Sequence, residues 1–179
     1  MIPARLLAHG PGFVIDSRMK ITIFFGSKSD APVMKKAASV LKQFGVEYDA
    51  FVISAHRAGE LLAEKVREAE NTGTEVFLAG AGLSAALPGV VASLTVLPVI
   101  GIPLDAGKAA GFDSLLSVVQ MPKQIPVAAV GLDNAENAAW LALEILAVKY
   151  PELRARLAAF RKELQDSVRA ELNPRILDS

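Results

Sequence analysis

The chain has 179 residues, no cysteine and two histidines, and its 19 basic residues balance its 19 acidic ones. That combination excludes disulfides, thiolate metal sites, a cysteine nucleophile and a histidine-rich metal centre, and it leaves no global field to draw the protein to nucleic acid. With 52% hydrophobic residues the chain has ample material for one buried core. No apolar run is long enough to span a bilayer, so the expectation is a cytoplasmic protein whose partner is a small molecule.

Residues 1–18 mix Pro3, Gly10, Pro11 and Gly12 with short apolar pieces, and Leu6-Leu7-Ala8 is too short for a signal-peptide core. They read as a loosely ordered N-terminal extension, followed by a single α/β domain over 19–170 and a tail over 171–179. From Lys20 onward, β-rich runs alternate with helical patterns. Strands are expected at Lys20–Phe25, Tyr48–Ile53, Glu75–Ala79, Val99–Ile102 and Val127–Val130. Helices are expected at Ala31–Phe44, Gly59–Asn71, Ser84–Leu94, Phe112–Val119, Asn134–Lys149 and Glu152–Ala170.

Apolar strands that are each followed by a helix indicate a parallel sheet covered on both faces. The predicted architecture is therefore a three-layer αβα fold, with a doubly wound, five-stranded parallel sheet and an extra C-terminal helix. The last helix carries Leu153, Leu157, Phe160 and Leu164 at helical spacing, a stripe suited equally to its own domain or to a neighbouring subunit. In such folds ligands bind beyond the carboxyl ends of the strands, so the βα loops carry the chemistry.

The first loop is Gly26-Ser27-Lys28-Ser29-Asp30. A glycine turn, two hydroxyls and a helix start suit phosphate, while Asp30 suits a helix cap or a ribose hydroxyl. The second, Ser54-Ala55-His56-Arg57, sets a histidine beside a guanidinium. Histidine exchanges protons near neutral pH, and arginine holds phosphate or carboxylate in a forked hydrogen bond. The third, Gly80-Ala81-Gly82-Leu83-Ser84-Ala85, fits the relaxed dinucleotide pattern G-x-G-x-x-A, with Asp105 after the next strand where a ribose-binding acid would sit. Against a nicotinamide site, Pro88-Gly89 interrupts the helix that the fingerprint needs. Phe112 to Ser117 and Gln120-Met121-Pro122 suit a pocket rim or a subunit contact.

These blocks together resemble the catalytic proteins of the carboxyaminoimidazole ribonucleotide mutase and aminoimidazole ribonucleotide carboxylase family, from Lys20 to Val168. The resemblance rests on Gly26 to Asp30, Ser54 to Arg57, Ala81-Gly82 through Leu87-Pro88-Gly89, and Asp113 to Pro122. It implies a flavodoxin-like sheet, a homo-octamer, no metal and no organic cofactor, with a ribonucleotide and carbon dioxide as small-molecule partners. It also implies that His56 transfers a proton, and that Ser27, Asp30 and Arg57, with Ser29 and Ser54 beside them, bind substrate. Gly82, Ser84 and Ala86 would then border the carbon dioxide pocket.

The match is not uniform. Ala86 stands where the bacterial mutase has a histidine, Leu83-Ser84 replaces Gly-Ala, and Ala31 replaces a tryptophan. The direct carboxylases also lack that histidine and carry a serine matching Ser84, but their second loop ends in lysine, not in an arginine like Arg57. Gly101-Ile102-Pro103 and Gln120-Met121-Pro122 follow the mutase. The resemblance thus implies the mutase reaction of purine biosynthesis first, with direct carboxylation of the free amine as the alternative. A nucleotide- or flavin-binding module without catalysis is a third reading, disfavoured by an aromatic content of 6%.

Overall fold

The computed structural model describes residues 19–107 and 109–172. The extension over 1–18, with His9, and most of the expected tail fall outside them. Strands β1 (Lys20–Phe25), β2 (Glu47–Val52), β3 (Thr74–Gly82), β4 (Val99–Leu104) and β5 (Ala128–Ala129) form one sheet. Its order is β2-β1-β3-β4-β5, with every pairing parallel. This is the flavodoxin-like order, in which the direction of winding reverses between β1 and β3.

The helices are α1 (Ala31–Gln43), α2 (Gly59–Asn71), α3 (Leu87–Leu94), α4 (Phe112–Val119), α5 (Ala135–Lys149) and α6 (Pro151–Ala170). Alternation along β1 divides the core in two. Ile21, Ile23 and Phe25 join one apolar cluster with α1 and α5, whereas Phe24 joins another with α2, α3 and α4. Each helix buries residues three or four apart, such as Met34, Ala37 and Leu41 in α1 and Leu62, Val66 and Ala69 in α2. Each large side chain fully buried this way contributes about 1.5–3 kcal/mol.

Helix α6 adds Leu153 and Leu157 to the α1–α5 side, and Phe160 stacks on Trp140 with ring centroids 4.6 Å apart. Its first half therefore covers its own domain. Leu164 and Val168 continue the stripe and remain exposed.

Several boundaries shift by a residue or more from the sequence reading, and three of the changes have a clear local reason. Strand β3 runs on to Gly82 because Gly80 to Gly82 pair with Ile102 to Leu104. Helix α3 begins at Leu87 instead of Ser84, with Pro88 in its first turn, where its missing N–H leaves no helix bond unmade. Strand β5 shrinks to the two exposed residues Ala128 and Ala129, an edge strand following Pro126.

Candidate active site

The register of the central strands brings the three loops together. Phe25 lies opposite Val52 on one side and Gly80 on the other, so Gly26, Ile53 and Ala81 come side by side where β1 and β2 end, while β3 runs on to Gly82 against β4. The Ile53 N–H still donates to Phe25 O at 2.9 Å, and Gly26 N–H donates to Gly80 O at 3.3 Å. Beyond these bonds the chains diverge, opening a crevice at the switch point.

The first loop is tied together by its own hydrogen bonds. Ser27 caps a 3-10 turn over Lys28–Asp30, and its N–H donates to Asp30 Oδ2 at 3.0 Å. Ser29 Oγ lies 2.8 Å from Ser27 Oγ and 3.2 Å from Asp30 Oδ1. Asp30 makes no side-chain cap on α1; its carboxylate instead completes the capping box of Ser27 and accepts from the Ser29 hydroxyl, which also reaches Ser27 Oγ at the cleft. In the second loop, Ser54 O accepts N–H bonds from Arg57 and Ala58 at 3.2 and 2.9 Å. This tight turn presents His56 and Arg57, both exposed, at its tip.

Two connected hollows share Gly26, Ser27 and Ser54. One, of about 290 Å³, lies over β1 and β3 and is walled by Ala55, Ala81, Gly82, Leu83, Ala85, Ala86, Leu87 and Ala106. Only Asp30 and His56 are ionisable among its lining residues. The other, of about 540 Å³, lies over β1 and β2 and includes Lys28, Arg57, Ala58 and Leu61, with two cations and no carboxylate. Small-molecule sites span roughly 300–1,000 Å³, so the first arm suits a heterocycle and the whole crevice suits a larger anion-bearing ligand. Helix α2 opens onto the second arm without a side-chain cap, leaving its positive end available to an anion.

The structure therefore brings together Ser27, Ser29, Asp30, Ser54, His56, Gly82 and Ala86 in one arm and places Arg57 in the adjoining one. Ser84 is exposed at the bend after β3, outside both linings. Sequence reasoning passed over Lys28, whose place in the Gly-Ser-Lys-Ser-Asp loop was the available signal. It also missed Ala106, which reaches the cleft because Gly82 is paired with Leu104; a Cβ on Gly82 would come within 2.9 Å of Ala106 Cβ.

The dinucleotide reading fails on backbone grounds: Gly80 and Gly82 are paired strand residues, not the turn that cradles a pyrophosphate. Asp105 turns inward on its own loop, accepting the Gly107 N–H at 2.7 Å. Asn134 caps α5 through the Asn137 N–H.

Comparison with known proteins gives the family directly, since the AIR carboxylase family matches residues 20–167. The chain belongs to the AIR carboxylase family. Its relatives in this family include a Pyrococcus abyssi protein named N5-carboxyaminoimidazole ribonucleotide mutase, 56% identical over 146 residues, covering 82% of this chain and 84% of that one. A Methanocaldococcus jannaschii protein of the same name is 53% identical over 150 residues, covering 84% and 93%. Among solved structures, Treponema denticola PurE superposes with a TM-score of 0.78 at 28% identity, over 85% of this chain and 95% of that one. The AIR carboxylase match thus spans the whole sheet and all three loops that form the crevice.

Proposed function

We propose that this chain is an N5-carboxyaminoimidazole ribonucleotide mutase of purine biosynthesis, acting through residues 19–170 as its catalytic unit. One observation carries the reading: a crevice with a dicationic arm beside a small aliphatic arm that holds a single histidine. The first suits a ribose phosphate. The second suits an imidazole ring whose carboxyl group moves. Identity above 50% to proteins named for this reaction supports the same conclusion.

Lys28, Arg57, Ser54 and the open end of α2 hold the phosphate, and Ser27, Ser29 and Asp30 orient the ribose. In the aliphatic arm the carbamate C–N bond breaks, and its electron pair stays on nitrogen, which takes up a proton. Carbon dioxide is released within the arm, the ring carbon attacks it, and the proton displaced from that carbon passes to His56. Proton uptake at nitrogen and release at carbon balance, so one histidine serves both steps and no cofactor is consumed. Asp30 is already committed to Ser27 and Ser29, which leaves His56 as the mobile proton carrier. Keeping both fragments in one pocket removes the entropy cost of a second encounter.

The protein assembles as a homo-octamer in this reading and works in the cytoplasm. Phe112, Leu116 and Val119 form an exposed stripe on α4, 66%, 50% and 46% accessible, which supports burial against other subunits. Among the described residues no helix is long and apolar enough to cross a membrane.

The test supplies purified protein with the carbamate ribonucleotide in bicarbonate-free buffer and, separately, with aminoimidazole ribonucleotide under graded carbon dioxide. Conversion of the carbamate alone is expected. Conversion of the free amine alone would make the chain a direct carboxylase, the reading to which Ala86 in the cleft wall lends weight.

A further inference from the structure

Leu83 adopts a left-handed backbone, with φ of 54°, immediately after β3. A leucine is strained there and a glycine is not. The Ala85 N–H closes back on Leu83 O at 2.8 Å, so the bend is tight and the conformation is fixed locally. The side chain is 48% exposed, so within the chain it gains little burial in return. It nevertheless lines the aliphatic arm beside Gly82, Ala85, Ala86 and Ala106, as the one large apolar side chain of that wall that still meets solvent; Leu87, the other, is buried.

Carbon dioxide has no net charge or dipole and accepts only weak hydrogen bonds, so hydrocarbon that closes the way out does much to retain it. Resting on the mutase reading above, we propose that Leu83 is the retaining wall of the carboxyl-transfer arm, keeping carbon dioxide against the ring between cleavage of the C–N bond and formation of the C–C bond. The strained bend turns the side chain toward the cleft mouth, and the seated heterocycle completes its burial. The residue thus sets how much of the gas is transferred and how much escapes, without touching the proton path through His56.

The experiment uses the full chain and a substrate labelled with carbon-13 in the carbamate carboxyl, in buffer containing unlabelled bicarbonate. The label in the carboxylated ribonucleotide is compared with the free aminoimidazole ribonucleotide formed, after subtraction of enzyme-free breakdown. Leu83→Gly removes both wall and strain, Leu83→Asn keeps a side chain that tolerates the left-handed backbone but is polar, and Leu83→Met restores apolar volume. The expected result is wild-type transfer with Leu83→Met, and an escape-to-transfer ratio raised about fivefold in the other two, from loss of roughly half a leucine's apolar contact. Thermal midpoints should not fall in step with escape.

Transfer by Leu83→Gly and Leu83→Asn at the wild-type ratio would overturn the proposal while leaving the mutase reading intact. A wild-type protein that carries no label into product would overturn that reading and this proposal with it.

Discussion

Ser114 tests whether the loop after β4 is held by one hydroxyl. It is fully buried, and its Oγ lies 2.9 Å from both Leu104 O at the end of β4 and Gly111 O at the start of α4. One side chain thus ties both ends of the 105–111 connection, which carries Ala106 into the cleft. Replacing it with alanine removes one shared hydrogen bond, a net loss of about 0.5–1.5 kcal/mol, and weakens the satisfaction of two carbonyls, for which a full orphan costs about 1–3 kcal/mol. Gly111 O keeps the Leu115 N–H at 2.9 Å, so the second cost falls mainly on Leu104. Alanine's better helix propensity returns about 0.5 kcal/mol. The expected net loss for Ser114→Ala is about 2 kcal/mol in urea unfolding at fixed protein concentration, with faster proteolysis between 105 and 111. A loss below about 0.5 kcal/mol, the usual range of neutral surface changes, would refute the tie.

His56→Asn should lower turnover of the carbamate about 10²–10⁴-fold with the fold unchanged by circular dichroism; near-normal turnover would remove His56 as proton carrier. Thr22 and Thr74 are buried with hydroxyls 2.7 Å apart, so Thr22→Val or Thr74→Val alone should cost about 1–3 kcal/mol and the double variant far less than their sum. Additive costs in denaturant titrations would show that the pair is not coupled. Arg156 donates to Phe44 O at 2.7 Å and Gln43 O at 3.3 Å and lies over the Phe44 ring. Arg156→Ala should therefore destabilise by about 1–2 kcal/mol through the lost cap and stacking, read as a lower urea midpoint, and an unchanged midpoint would count against the cap.

The fold was legible because each strand is a short apolar run and each helix has a 3.6-residue stripe, and these periods survive any change of partner. The end of β3 was not. Gly80-Ala81-Gly82 has no side-chain pattern to extend a strand, and only pairing with Ile102, Pro103 and Leu104 makes it one. The start of α3 was hidden for the related reason that Pro88 reads as a breaker until its place in the first turn is known. Loop residues whose chemistry is intrinsic, such as His56 and Arg57, stood out. Ala106 did not, and Leu83 showed only as a departure from the family's Gly-Ala, because an aliphatic residue acquires a role only from what it faces, and Gly82 faces Ala106 across a non-local strand pair.

The sheet order also explains why one site has two arms, and this makes a last prediction. Because β1 lies between β2 and β3, its Gly26 and Ser27 line both hollows; the loop after β2 also reaches both, through Ser54, whereas the loop after β3 lines the aliphatic arm alone. Arg57 follows β2 and lines only the cationic arm, and Leu83 follows β3 and lines only the aliphatic one. Losing the guanidinium removes an interaction with phosphate that is equal in ground and transition states, so Arg57→Ala should raise KM with little change in label retention. Leu83→Gly should lower retention with little change in KM. If the arms act separately, the double variant should combine the two effects to within about 0.3–0.5 kcal/mol, the ordinary limit for independent sites. An interaction energy well beyond that in the four-enzyme comparison would mean that phosphate binding itself closes the aliphatic arm, and that the crevice works as one element instead of two.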